Sequence, residues 1–305
     1  MKKKNAVFLA LAAIIWGFAF SAQKVGNVMG PFAFNGIRSI IGALILLPII
    51  PLLRKYEQGK NGTVRELLKG GILCGLCLCA GSNLQQVGLQ YTSAGKAGFI
   101  TAMYIVMVPV AGLAFRKKCS VNAWIGVCLS VAGLVCLSLL TDSATGSNEM
   151  LGNALVLLAA VAFTAHILVI DRFAPNLNGV ALSCVQFFTS GILTLVLMLL
   201  FEKPVISVIL SEPVAVLYAG IMSCGVAYTF QILGQDGANP TLASLILCLE
   251  SVFSVIGGIL FLHDSMDAIE WIGCALMFGG IVISQLPDRK KAEGAGNASE
   301  SQKAD

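Results

Sequence analysis

Residues Thr241 to Phe261 read TLASLILCLESVFSVIGGILF, a run of 21 residues that is almost wholly apolar and carries one carboxylate, Glu250, near its middle. A helix of about 20 such residues is long enough to cross the hydrocarbon core of a bilayer. A charged side chain at that depth costs on the order of 3 kcal/mol even on lenient insertion scales, so such residues face a cavity or a partner rather than lipid. The run therefore fixes a membrane fold and raises the question of what Glu250 serves.

The remainder of the chain has the same character. Of its 305 residues 57% are hydrophobic and only 12% charged, against about 25% charged in soluble domains. Apolar runs recur from end to end, and ten spans are expected at about 6–23, 32–53, 70–91, 94–115, 121–140, 151–170, 180–201, 213–235, 241–262 and 269–286. The first run follows Lys2, Lys3 and Lys4 as a secretory signal would, but bulky Phe20 stands where a cleavage after Ala22 needs a small residue. It reads as an uncleaved first helix.

Orientation follows from Lys and Arg, which favour the cytoplasmic side. With the N-terminus inside, that side receives Lys2–Lys4, Arg54, Lys55, Lys60, Arg65, Lys69, Arg116–Lys118, Arg172, Arg289–Lys291 and Lys303. The outer side receives only Lys24, Lys96 and Lys203, and Arg38 falls inside a span. Both termini are then cytoplasmic, and the net charge of +4 needs no nucleic-acid partner. The ten cysteines lie mostly in apolar runs, where free cysteine acts as a small hydrophobe. Cys74, Cys77 and Cys79 lack neighbouring His or acidic ligands, so no metal and no cofactor is expected.

An internal repeat organises the chain. Trp124-Ile125-Gly126 followed by Gly133 recurs as Trp271-Ile272-Gly273 followed by Gly280, and Asn5-Ala6 recurs as Asn153-Ala154. The expected architecture is an all-α polytopic membrane protein whose ten transmembrane helices form two repeats of five. The first covers 1–141 and the second 149–287, with a polar, disordered cytoplasmic tail over 288–305. Because five is odd, the second repeat enters from the opposite side. Inverted repeats of this kind characterise secondary transporters, with substrate bound near the midplane between the halves.

Polar residues within the spans mark candidate sites. Asn83, Gln86 and Gln90 share a helix face by i, i+3, i+7 spacing, and Tyr228, Gln231 and Gln235 repeat the pattern in the second half. They read as the lining of a shared path, the alternative being amide contacts between helices at roughly 0.6 kcal/mol each. At the repeat offset Glu250 aligns with Tyr104, placing a carboxylate and a phenol at similar depth. Arg38 either meets an anionic substrate group or braces helix ends. His166 either relays protons or packs, and Trp16 either walls a cavity or joins an aromatic belt. Lys96 reads as an exposed cation. Gly71 with Gly75, and Gly126 with Gly133, permit close helix contact and dimerisation.

These residues together resemble the EamA-type branch of the drug/metabolite transporter superfamily. The resemblance is carried by IIWGFAFS near the start, YTSAGKAGFITAMY before the fourth span, AWIGVCLSVAGLV in the fifth, LCLESVF in the ninth and EWIGCALMFGGIVI in the tenth, over about Asn5 to Gln285. It implies a ten-helix inner-membrane (plasma-membrane) carrier that exports amino acids or other small metabolites by alternating access. It also implies a central cavity from the first, third, fourth, sixth, eighth and ninth helices, which here brings in Trp16, Asn83, Gln86, Tyr104, His166, Tyr228, Gln231 and Glu250. The chain departs from the family where Ile105 and Ser251 stand in place of a common proline, and where Thr164 stands in place of a common tryptophan.

The expected function is a secondary transporter of a small metabolite, with coupled protons, the lipid bilayer and a second copy of the chain as further partners. A flippase for a lipid-linked intermediate is the alternative. A membrane-embedded enzyme would need a clustered nucleophile, acid–base pair or metal set, and the two histidines, His166 and His263, fall on opposite sides of the expected topology.

Overall fold

The computed structural model describes residues 3–53, 62–111, 121–139, 148–203, 206–236, 238, 243, 246–247, 249–284 and 286. The expected tail over 288–305 and the basic segments at 54–60, 116–118 and 289–291 lie outside the described residues. Helices account for nearly all the described chain: α1 (Lys3–Gly26), α2 (Pro31–Leu53), α3 (Val64–Gly88), α4 (Ala94–Ala102), α5 (Tyr104–Ala111), α6 (Val121–Leu139), α7 (Glu149–Phe173) and α8 (Gly179–Phe201). Then follow α9 (Ile206–Ile209), α10 (Pro213–Leu217), α11 (Tyr228–Gln235), α12 (Leu249–Gly257) and α13 (Ala268–Ser284).

Six helical segments are long and apolar enough to cross a membrane: Lys3–Met29, Pro31–Leu52, Val64–Gly88, Glu149–Phe173, Gly179–Phe201 and Pro213–Gln235. Shorter apolar helices stand where the other four spans are expected, over 94–108, 124–133, 249–262 and 268–280. The burial pattern departs from that of a soluble protein on its surface and at a set of inward polar positions. Leu199, Leu200 and Phe201 are about 70% exposed, while Arg38, Gln85, Gln86, Gln186 and Glu250 are buried. An apolar exterior around a polar interior suits a chain solvated by lipid.

Helix ends follow the local chemistry. Thr63 and Glu66 form a capping box at the start of α3, so that helix begins six residues earlier than hydropathy alone indicates. The fourth span is interrupted at Met103, whose N–H turns back to the Ile100 carbonyl at 3.2 Å, although no proline occupies position 105. In the ninth span the α-helix instead passes through Ser251 unbroken, and Ser254 Oγ donates to the Ser251 carbonyl at 2.7 Å. A π-helical stretch, Tyr218–Ala227, separates α10 from α11, and a shorter one, Gly258–Leu262, follows α12. Such widened turns are rare and often occur at functional sites.

Helices related by the repeat offset pack on each other: α2 on α8, α4 on α12 and α6 on α13. At the last of these a Cβ on Gly133 would lie 2.5 Å from the Gly273 carbonyl oxygen, and one on Gly280 would lie 2.6 Å from the Gly126 carbonyl oxygen. The contact is reciprocal, so both WIG motifs are used inside the chain. Gly71 and Gly75 likewise face Val185 and Thr189 of α8. These glycines serve the close helix packing expected of them, at contacts within the chain.

Lys96 also differs from expectation. It is buried, with Nζ 2.5 Å from both Glu149 Oε1 and Glu270 Oε1, because three helix starts converge there and the ammonium is shared between the two carboxylates. Nearby, burial pushes the Asp264 carboxyl above the ordinary carboxylate range, against the pull of Lys24.

Candidate functional site

A buried polar cavity lies where α1, α2, α3, α4, α5, α7, α11 and α12 meet. The volume open to the centre of a water-sized sphere is about 40 Å³, room for about three waters at 10–15 Å³ each. Its wall takes Trp16, Phe20 and Gln23 from α1, Arg38 from α2 and Gln85 from α3. Thr101 and Tyr104 come from the interrupted fourth span, Phe163, His166 and Ile167 from α7, Ser223 from the π-helical stretch, Tyr228 and Gln231 from α11, and Glu250 from α12.

Tyr104 Oη donates to Glu250 Oε2 at 3.0 Å, with both residues buried. The two positions aligned by the repeat therefore touch. Tyr104 opens α5 immediately after the interruption at Met103, and Glu250 is drawn close by α1: a Cβ on Gly17 would stand 2.9 Å from the Glu250 carbonyl oxygen. Tyr228 is held edge-on by Trp16, Phe187 and His166, at centroid distances of 4.6, 5.0 and 5.9 Å. His166 Nε2 lies 2.9 Å from Gln186 Oε1, which fixes the imidazole against α8.

Arg38 is the cavity's cation. Its Nε donates to Asn35 Oδ1 at 2.7 Å, and its guanidinium carbon stands 5.5 Å from the centre of the Phe34 ring. It is 5% exposed, so it faces the cavity and is not a brace snorkelling to the interface. Among the described residues Arg38 and Glu250 form no ion pair with each other. The cavity thus presents a guanidinium and a carboxyl that are not paired with each other. Among the described residues Trp16 Nε1, Gln23 Oε1 and Gln231 Oε1 have no hydrogen-bond partner, and all three atoms are buried. Three unpartnered polar atoms around one polar space are what a polar guest would satisfy, since leaving each unmet costs about 1–3 kcal/mol.

Six of the eight residues singled out in the sequence meet at this cavity: Trp16, Tyr104, His166, Tyr228, Gln231 and Glu250. Asn83 and Gln86 are not among the residues that line it. Asn83 Nδ2 donates to Thr194 Oγ1 at 2.8 Å and its Oδ1 accepts from Asn35, while Gln86 Nε2 donates to the Gln23 carbonyl and Asn27 Oδ1. Those amides join helices. The amide that α3 gives to the cavity is Gln85, whose Nε2 donates to Thr101 Oγ1 at 2.9 Å. Adjacent residues on a helix are about 100° apart, so Gln85 and Gln86 necessarily face different neighbours.

Comparison with known proteins agrees with this architecture. The EamA-like transporter family profile matches twice, over residues 3–139 and 150–286. An uncharacterized transporter of Archaeoglobus fulgidus is 29% identical over 91% of this chain and 84% of its own length. The uncharacterized transporter YwfM of Bacillus subtilis is 24% identical over 96% and 98%. The chloroplastic WAT1-related protein At3g02690 of Arabidopsis thaliana is 24% identical over 90% of this chain and 67% of its own. A solved crystal structure superposes with a TM-score of 0.69 at 18% identity, covering 93% of this chain and 98% of that one, a likeness of fold alone.

Proposed function

This chain belongs to the EamA-like transporter family of multi-pass membrane proteins, and from that premise we propose that it is a secondary exporter of a small zwitterionic metabolite, an amino acid or a close relative. The observation that carries the reading is one buried cavity holding Arg38 and Glu250 unpaired with each other, lined by two amide oxygens and an indole N–H that have no partner among the described residues. A substrate carboxylate fits the guanidinium, and a substrate ammonium fits Glu250 and the phenol of Tyr104. Glu250 either takes that ammonium or carries a coupled proton, and the two roles exclude each other in time.

The transport frame is ten spans in two inverted repeats, with both termini cytoplasmic in the plasma membrane. Room for about three waters is too little for an amino acid, so the halves must part to admit one. Rocking of one half against the other does this on alternate sides.

In proteoliposomes loaded with mixed amino acids, the wild-type chain should release a subset, and Glu250→Gln should abolish release or free it from the pH gradient. Wild-type flux with unchanged pH dependence in that variant removes Glu250 from the site. One observation favours the flippase alternative: a mainly apolar groove of about 440 Å³ whose lining includes Phe18, Val25, Val214 and Phe261 together with Glu212 and Tyr218. Thermal stabilisation by a polyprenyl phosphate but by no amino acid would move the assignment there.

A further inference from the structure

We propose that the buried triad of Lys96, Glu149 and Glu270 is the gate closing one end of the cavity, and that it separates once in every transport cycle. The inference rests on the transporter reading above. Lys96 sits in the first turn of α4, Glu149 in the first turn of α7 and Glu270 in the first turn of α13, so one ammonium spans the two halves of the chain. Further along, α4 supplies Thr101 and α7 supplies His166 to the cavity wall, so two of the three helices whose first turns meet at the triad also enclose the cavity.

Further polar ties stand at this end, beside an apolar cluster that includes Leu89, Ala94, Ala97 and Val156. Thr92 Oγ1 donates to Asn153 Oδ1 at 2.8 Å, joining the loop before α4 to α7. Lys24 Nζ donates to the carbonyls of Leu89 and Thr92 at 2.7 Å, anchoring that loop to α1.

The chemistry suits a joint that opens. A buried ion pair gains little over an apolar contact of the same shape, because desolvation offsets most of the attraction. By the same accounting, ions that part into water recover their hydration, whereas parted apolar surfaces do not. Two carboxylates around one ammonium also leave the closed state dependent on that ammonium. Without it, two buried negative charges face each other.

The test reads access to the cavity and needs no substrate. Ser223→Cys in the full-length chain places a thiol on the cavity wall, and a membrane-impermeant thiol reagent is applied to intact cells and to inside-out vesicles. Parallel labelling of the chain with Ser223 intact subtracts the native cysteines. Adding Lys96→Met should raise labelling from one side only, by roughly tenfold or more as the open population grows, and Lys96→Arg should leave it near the parent. If Lys96→Met does not yield monodisperse protein, the double variant Glu149→Gln/Glu270→Gln, which strips the ammonium of both partners, carries the same expectation. Folded variants labelled at the parent rate from both sides overturn the gate. Absence of flux in the chain with Ser223 intact, with the labelling response present in the Ser223→Cys chain, would overturn the transporter reading and leave the gate standing.

Discussion

Tyr104→Phe deletes one oxygen, the donor that the structure gives to Glu250 Oε2 at 3.0 Å. With Glu250 ionised, a hydrogen bond to charge contributes about 1.5–3 kcal/mol. With Glu250 neutral, a bond between membrane helices averages about 0.6 kcal/mol. A double-mutant cycle separates the two. Glu250→Leu removes the carboxyl at similar volume, and Tyr104→Phe leaves Glu250 Oε2 without that donor, at about 1–3 kcal/mol. The double variant should cost less than the summed singles by the coupling energy. Equilibrium unfolding of the four proteins in mixed micelles, at pH values spanning neutrality, supplies it. A coupling above about 1.5 kcal/mol marks the ionised pair. Additivity within about 0.5 kcal/mol at every pH would refute the claim that phenol and carboxyl act as a unit.

Two further contrasts test the wall against the scaffold. Gln85→Leu, on the cavity side of α3, should change flux or substrate choice, whereas Asn83→Leu should lower stability by on the order of 1 kcal/mol with substrate choice intact. Flux and thermal denaturation on the same preparations tell them apart. Gly280→Val drives a branched side chain toward the Gly126 carbonyl and Ser130, so it should cost about 1–3 kcal/mol by overpacking. Trp271→Ala, on the half-exposed outer face, should leave the melting temperature nearly unchanged.

The helices were legible because lipid imposes a simple rule: runs of apolar residues, with polar ones kept inward. The Tyr104 and Glu250 positions were legible because both interrupt such runs at equal depth. What periodicity could not resolve was which inward neighbour each amide meets. Asn83 and Gln85 sit two residues apart, and the helix turn sends one to α8 and α2 and the other to Thr101. Arg38 was ambiguous for a related reason, since a long side chain reaches either the interface or a cavity, and its anchor on Asn35 is tertiary in setting though only three residues away. Lys96 was misread because its partners lie at positions 149 and 270, separations at which no local pattern operates. The interruption at Met103 had no proline to announce it.

The contact between Tyr104 and Glu250 joins residues 146 apart in sequence, the spacing of the repeat itself. A position that meets its own counterpart is subject to self-complementarity whenever the two halves are separate, identical molecules. A homodimer of five-helix chains would have to place phenol against phenol there, or carboxylate against carboxylate, and the second arrangement strands like charges in a dry interior. Once the halves share one polypeptide, a mutation reaches one side of the axis and spares the other. The donor–acceptor pair at the centre of this cavity is therefore chemistry that gene fusion makes accessible, and symmetric ancestors of the same architecture would have had to bind their cargo without it.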